Sequence, residues 1–180
     1  MNFRILNFYL QKIQTCLKED SHTHGVGALS FSGCGGRLLS VGVDPKSLVS
    51  IWDWESARQL CIVSGHTDRI FDSCFLPNSD THFCTVGVKH IKMWNLIGNT
   101  LKSNRGIFGQ KGNLQTVLCC CPGNQENQII SGTMDGSVYV WNGNELETTF
   151  KPSNGPLYSI NKHNDQYIIC GKFAHVSAWS

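Results

Sequence analysis

The chain has 180 residues, 41% of them hydrophobic and 16% charged, with a formal net charge of +2. That length can bury one sizeable core, and the balance excludes a disordered polypeptide, while so small a charge does not by itself imply nucleic-acid binding. No run of 18 apolar residues and no Asn-x-Ser/Thr acceptor occurs, and the nine cysteines are scattered and odd in number. The reading is an intracellular, reducing setting with neither a membrane span nor a disulfide framework.

In residues 1–24, Phe3, Leu6, Leu10, Ile13 and Leu17 follow steps of 3, 4, 3 and 4. This spacing predicts a short amphipathic N-terminal helix, packed on the edge of the main domain or left as an ill-ordered leader. Asn7, Gln11 and Lys12 interrupt any apolar core, which argues against a signal peptide.

From residue 25 onward the pattern changes to period two. Four apolar strands end in a tryptophan, at Trp52, Trp94, Trp141 and Trp179, separated by 42, 47 and 38 residues. Apolar residues stand one and three places before each: Ile51 and Val49, Met93 and Ile91, Val140 and Val138, Ala178 and Val176. That alternation belongs to strands. Upstream of each lies a second apolar strand closed by glycine: Leu39–Gly42, Cys84–Gly87, Ile129–Gly132 and Ile168–Gly171. Glycine there permits a tight turn, and Asp44 and Asp135-Gly136 sit within two of the turns, where a short carboxylate bonds to nearby amides.

Recurrence at about 40 to 45 residues with four strands per unit is the pattern of WD-repeat β-propeller blades. The predicted strands are 25–32, 38–42, 49–53 and 59–63, then 69–75, 82–87, 91–95 and 100–103, then 114–121, 128–132, 137–142 and 146–150, with a last set starting at 156–160. The expected fold is all-β: a partial propeller of about four blades over residues 25–180, the last blade incomplete. WD-type rings usually need about seven blades to close. The expectation is therefore a fragment or short form of a longer product, or a chain whose open blade faces are covered by further blades or by a protein partner. Trp52-Asp53 and Gly65-His66 are the repeat's signature dipeptides, but Trp94-Asn95, Trp141-Asn142 and Trp179-Ser180 depart from it. The blade opened by His66 carries Lys89 where a turn aspartate would receive the histidine, so its polar network should be incomplete.

Gly65-His66-Thr67-Asp68-Arg69-Ile70-Phe71-Asp72, Gly87-Val88-Lys89-His90-Ile91-Lys92-Met93-Trp94 and Arg105-Gly106-Ile107-Phe108-Gly109 occur in that order. They are joined by Leu114-Gln115-Thr116 and by Ser131-Gly132 leading to Gly136-x-Val138-Tyr139-Val140-Trp141. Over roughly residues 22–180 the chain resembles the echinoderm microtubule-associated protein-like family. The resemblance implies a pair of joined atypical propellers in the longer family members, a cytoplasmic place on the microtubule cytoskeleton, and tubulin as partner.

The residues themselves nominate where such a partner would bind. Between Thr81 and Gln125 there is no Asp or Glu, while Lys89, Lys92, Lys102, Arg105 and Lys111 supply five positive charges. The turn between a blade's second and third strands opens onto the same rim as the link to the next blade. Lys89, His90, Arg105 and Lys111 should therefore share one rim and attract an acidic surface, against the plainer reading of solvated turn residues. Lys92, beside Trp94 on one strand, reads as structural.

Other constellations carry less. Strand alternation sends Cys119, Cys120 and Cys121 to opposite faces, which makes the triplet buried packing rather than a metal site. His22-x-His24 lacks a matching ligand pair. The Gly33-Cys34-Gly35-Gly36 turn lacks the lysine and helix of a phosphate loop, and no Gly-x-Ser-x-Gly occurs. No catalytic, cofactor or metal site is predicted, and neither nucleic acid nor membrane is expected as partner. A different class remains open, a propeller adaptor for a ubiquitin ligase or other complex. Its common Trp-Asp-x-Arg cue is missing, because Trp52-Asp53 runs into Trp54-Glu55.

Overall fold

The computed structural model describes residues 3–7, 12–17, 22–43, 45–172 and 176–179. All regular structure in them is β. The N-terminal helix expected within residues 1–24 is not what forms: β1 (Phe3–Asn7) and β2 (Lys12–Leu17) pair antiparallel. The pairing shifts between Ile5 and Leu6. A bulge of this kind leaves one residue, Gln14 of β2, without a partner. The β-branched Ile5, Ile13 and Thr15 also favour the extended form.

Four antiparallel sheets follow, each drawn from one contiguous stretch. The first blade is β3 (Val26–Phe31), β4 (Arg37–Gly42), β5 (Leu48–Asp53) and β6 (Arg58–Ser64). The second is β7 (Ile70–Phe75), β8 (His82–Gly87), β9 (His90–Ile97) and β10 (Thr100–Arg105). The third is β11 (Val117–Pro122), β12 (Gln128–Thr133), β13 (Val138–Asn142) and β14 (Glu145–Phe150). The fourth has three described strands, β15 (Leu157–His163), β16 (Gln166–Gly171) and β17 (Val176–Trp179). Every expected strand lies within a few residues of an observed one. The first strands of successive blades, β3, β7, β11 and β15, pack against one another in that order, which makes them the inner strands of a partial propeller.

Both faces of a middle blade are buried, which is why its strands read as nearly continuous apolar runs. Between blades one and two, Leu39, Val41 and Ile51 meet Ile70, Phe75, Phe83 and Trp94. Cys84, Val86 and Ile91 meet Val117, Ile129, Tyr139 and Trp141 at the next interface. Cys119, Ile130 and Val138 then meet Leu157, Ile160 and Ile169. Each such side chain contributes about 1.5–3 kcal/mol when fully buried.

Within blades, the tryptophans serve as polar struts as well as packing. Trp52 Nε1 donates to Ser40 Oγ at 2.9 Å, Trp94 Nε1 to Thr85 Oγ1 at 2.9 Å, and Trp141 Nε1 to Ser131 Oγ at 2.9 Å. In each case the third strand is tied to the second. The fully buried His22 joins the first strut, its Nε2 lying 2.8 Å from Ser40 Oγ. His22 is thus packed into the first blade.

Blades are also tied to each other. Asp72 on β7 accepts from the Cys120 amide of β11 at 2.9 Å through Oδ2, and from the Ser73 amide at 2.8 Å through Oδ1. Burial raises the Asp72 carboxyl above its ordinary range against these hydrogen bonds.

The turns show what their glycines do. Gly87 does not take a left-handed conformation; Lys89 does, with φ of 52°. A Cβ on Gly87 would collide with the Arg69 carbonyl oxygen, so glycine is required there for close approach rather than for the turn. In the third blade, Asp135 Oδ1 accepts from Thr133 Oγ1 at 2.7 Å and from the Ser137 amide at 3.0 Å, the short-carboxylate chemistry expected. Asp44 lies outside the described residues.

Candidate functional site

The β8–β9 turn, the β6–β7 link and the β10–β11 connection converge, as rim geometry predicts. They enclose a cavity of about 230 Å³ lined by His66, Lys89, His90, Ile91, Arg105, Gly106, Phe108 and Leu114. Of these, Lys89 and Arg105 are both exposed. Three of the four predicted residues, Lys89, His90 and Arg105, are therefore brought together. Lys111 is exposed on the same connection but is not part of the cavity wall.

His90 stands differently from its neighbours. It is 5% exposed and belongs to the wall rather than to the outer surface. Its ring stacks on His66 at 3.9 Å with planes 14° apart. Burial, then the facing His66, brings His90 down to about 4. Its Nδ1 lies 3.4 Å from the Val88 carbonyl, which can only accept, so Nδ1 carries the proton of the neutral ring. Its Nε2 is buried without a partner. His66 is held in the opposite sense: its Nδ1 accepts from the Asp68 amide at 3.0 Å, which leaves the proton on Nε2. Burial and then Lys92 lower His66 as well. The polar network of this blade is thus incomplete, as Lys89 in the turn implies.

Lys92 is structural, as expected. Its ammonium donates to the Gly65 carbonyl and sits 5.4 Å from the centre of the Trp94 ring. Burial, then Arg105, lowers its pKa.

Sequence reasoning missed the apolar half of the cavity. Phe108 meets Trp141 edge-on at 5.1 Å and Tyr139 at 5.9 Å, on the link that corresponds to the one carrying His66 a blade earlier. Leu114 is 62% exposed at the cavity. The connection is anchored from below, since the Ile107 amide donates to the Asn144 carbonyl at 2.7 Å and the Leu146 amide to the Ile107 carbonyl at 3.0 Å. Asp68 Oδ2 lies 3.9 Å from His66 Nδ1, and Glu145 is bridged through its backbone to Ile107.

The cysteines divide as alternation predicts, with Cys120 facing blade two and Cys119 and Cys121 facing blade four. Cys120 does, however, meet Cys74 and Cys84 from blade two, all three sulfurs within 4.8 Å of one another and buried in apolar surroundings. Burial pushes Cys119 up to about 12 and Cys120 well above its usual value. These two thiols remain protonated at neutral pH and act as core side chains.

Sheets of four strands stacked by their faces, with tryptophan struts to a hydroxyl on the neighbouring strand, define a WD-type β-propeller. Solved structures agree on the fold. The β-propeller domain of Myceliophteria thermophila Cps50 (Swd1) superposes with a TM-score of 0.80 at 14% identity, over 95% of this chain and 56% of that one. The computationally designed protein Ika4 gives 0.65 at 17% identity, over 90% of this chain and 98% of that one.

The first β-propeller of the echinoderm microtubule-associated proteins matches residues 3–180, and the chain belongs to this family. The 77 kDa echinoderm microtubule-associated protein of Lytechinus variegatus is 28% identical over 166 residues, 85% of this chain and 25% of that protein. Echinoderm microtubule-associated protein-like 1 of Mus musculus is 30% identical over 114 residues, 63% of this chain and 14% of that protein. The ciliary WD repeat-containing protein ctxp80 of Euplotoides octocarinatus is 31% identical over 151 residues, 76% of this chain and 21% of that protein. The chain spans about a quarter or less of the length of these relatives.

Proposed function

We propose that this chain is a non-enzymatic binding module, a piece or short form of a longer microtubule-associated scaffold, whose second-blade rim engages tubulin. The carrying observation is the convergence of Lys89 and Arg105 on one cavity within a 45-residue stretch that holds five cations and no carboxylate. Such a field attracts acidic surfaces and is weakened by salt. The relatives are named as microtubule-associated, and by that likeness the proposed setting is the microtubule cytoskeleton of the cytoplasm. Lys111 extends the field along the same connection. Further blades, or a protein partner, cover the open faces of the first and last sheets.

Co-sedimentation with polymerised tubulin tests this reading. The chain should pellet with microtubules in a salt-sensitive way, and Lys89→Glu/Arg105→Glu/Lys111→Glu should remove most of the bound fraction while leaving the circular dichroism spectrum intact. Undiminished pelleting of the folded triple variant overturns the assignment.

A further inference from the structure

The rim cations do not stand on a flat surface, and this gives the site a chemistry beyond net charge. The cavity has two cationic side chains, two imidazoles and the hydrocarbon of Ile91, Phe108 and Leu114. At about 230 Å³ it is the size of one amino-acid residue rather than of a cofactor or nucleotide.

We propose that this cavity receives a single glutamate side chain from an acidic partner segment, its methylenes against Phe108 and Leu114 and its carboxylate among Lys89, Arg105, His66 and His90. The proposal rests on the rim reading above and narrows it to one inserted side chain. The two histidines are set for unequal parts. His66 already offers Nε2–H as a donor, because its Nδ1 is occupied by the Asp68 amide. His90 presents a bare Nε2 lone pair that is buried and unpartnered, an arrangement that costs stability until something satisfies it. A carboxylate cannot bond to that lone pair. It can do so once the ring takes up a proton, and a carboxylate beside the ring favours that uptake.

Carboxylate capture is therefore linked to protonation of His90. The charged and titratable groups around the ring are His66, Asp68, Lys89, Lys92 and Arg105, and among them only Asp68 is negative. In the empty site the ring titrates near 4. If a seated carboxylate returns it to its ordinary value of about 6.5, affinity rises about fourfold between pH 8 and pH 6. The glutamate itself stays ionised across that range.

The test uses the full chain and a fluorescently labelled hexaglutamate peptide, read by anisotropy at fixed ionic strength. Wild type should bind hexaglutamate several-fold more tightly than hexaaspartate, whose shorter stem leaves the apolar wall uncovered, and should show the fourfold gain at pH 6. Leu114→Trp fills the cavity mouth at an exposed position without changing charge, and should weaken hexaglutamate at least tenfold. His90→Gln should bring the ratio between pH 6 and pH 8 close to one. Undiminished binding by Leu114→Trp overturns the proposal, and so does a wild-type affinity that does not change with pH. If the triple charge reversal releases microtubules while Leu114→Trp binds hexaglutamate as wild type does, the inserted side chain is refuted and the basic rim stands. If the triple variant still pellets with microtubules, the rim reading falls.

Discussion

Replacing Trp141 by phenylalanine separates the two jobs of the blade tryptophan. Trp141 is fully buried, and its Nε1 donates to Ser131 Oγ at 2.9 Å. Phenylalanine keeps an aromatic ring against Phe108 and Tyr139 but removes the donor and roughly 40 Å³ of side chain; at about 24 cal/mol per Å³ the void costs roughly 1 kcal/mol. Ser131 is also fully buried, and loss of its partner adds about 1–2 kcal/mol. The single variant should therefore lose about 2–3 kcal/mol. Removing the stranded hydroxyl as well, in Trp141→Phe/Ser131→Ala, should restore about 1 kcal/mol, because deleting both partners costs less than orphaning one. Urea denaturation followed by far-ultraviolet circular dichroism on wild type, both single variants and the double variant gives the coupling term. Additive effects within about 0.3 kcal/mol would show that the strut carries no stability of its own and would refute the reasoning.

Three further outcomes rest on local geometry. Lys89→Asn removes a rim charge while suiting the left-handed turn, so it should reduce microtubule pelleting with a melting temperature equal to or above wild type. Asp72→Ala strands the buried Cys120 amide between blades two and three and should cost about 1–3 kcal/mol by urea denaturation; an unchanged midpoint would mean the inter-blade clamp is idle. Asp135 is pulled down to about 2: burial pushes it up, and the Thr133 and Ser137 hydrogen bonds outweigh that push. Because the folded value lies below the unfolded one, its contribution is full above about pH 4 and is lost as pH falls toward about 2. Acid titration should show a shallower loss of stability over that window in Asp135→Asn.

Most of the fold is legible because the repeat is written in buried positions. Val49, Ile51 and Trp52 alternate with the pleat and their counterparts recur in every blade, so strand boundaries come from a single template. The leader misleads because a spacing of 3 and 4 over so few apolar residues does not by itself separate a helix from a pair of short strands. His22 resembles half of a metal pair, since its partner, Ser40, is 18 residues away. The rim cations can be found from the missing carboxylates between Thr81 and Gln125. The burial of His90 and the apolar wall of Phe108 and Leu114 cannot, because both depend on how a connection folds back onto the neighbouring blade. A signal for Phe108 is available in its register: it comes soon after Gly106, where the blade before has Gly65-His66.

Each sheet is woven from an unbroken length of chain, and the links between sheets are side-chain clusters and a small set of hydrogen bonds, among them those of Asp72, Arg37 and Lys162. Short sequence separation inside each unit, with no strand borrowed from afar among the described residues, lets the polypeptide acquire order one parcel at a time as it is synthesised. An inserted or deleted parcel then disturbs two seams and nothing beyond them, so growth of such an array by tandem duplication leaves every older parcel with its internal pairing intact.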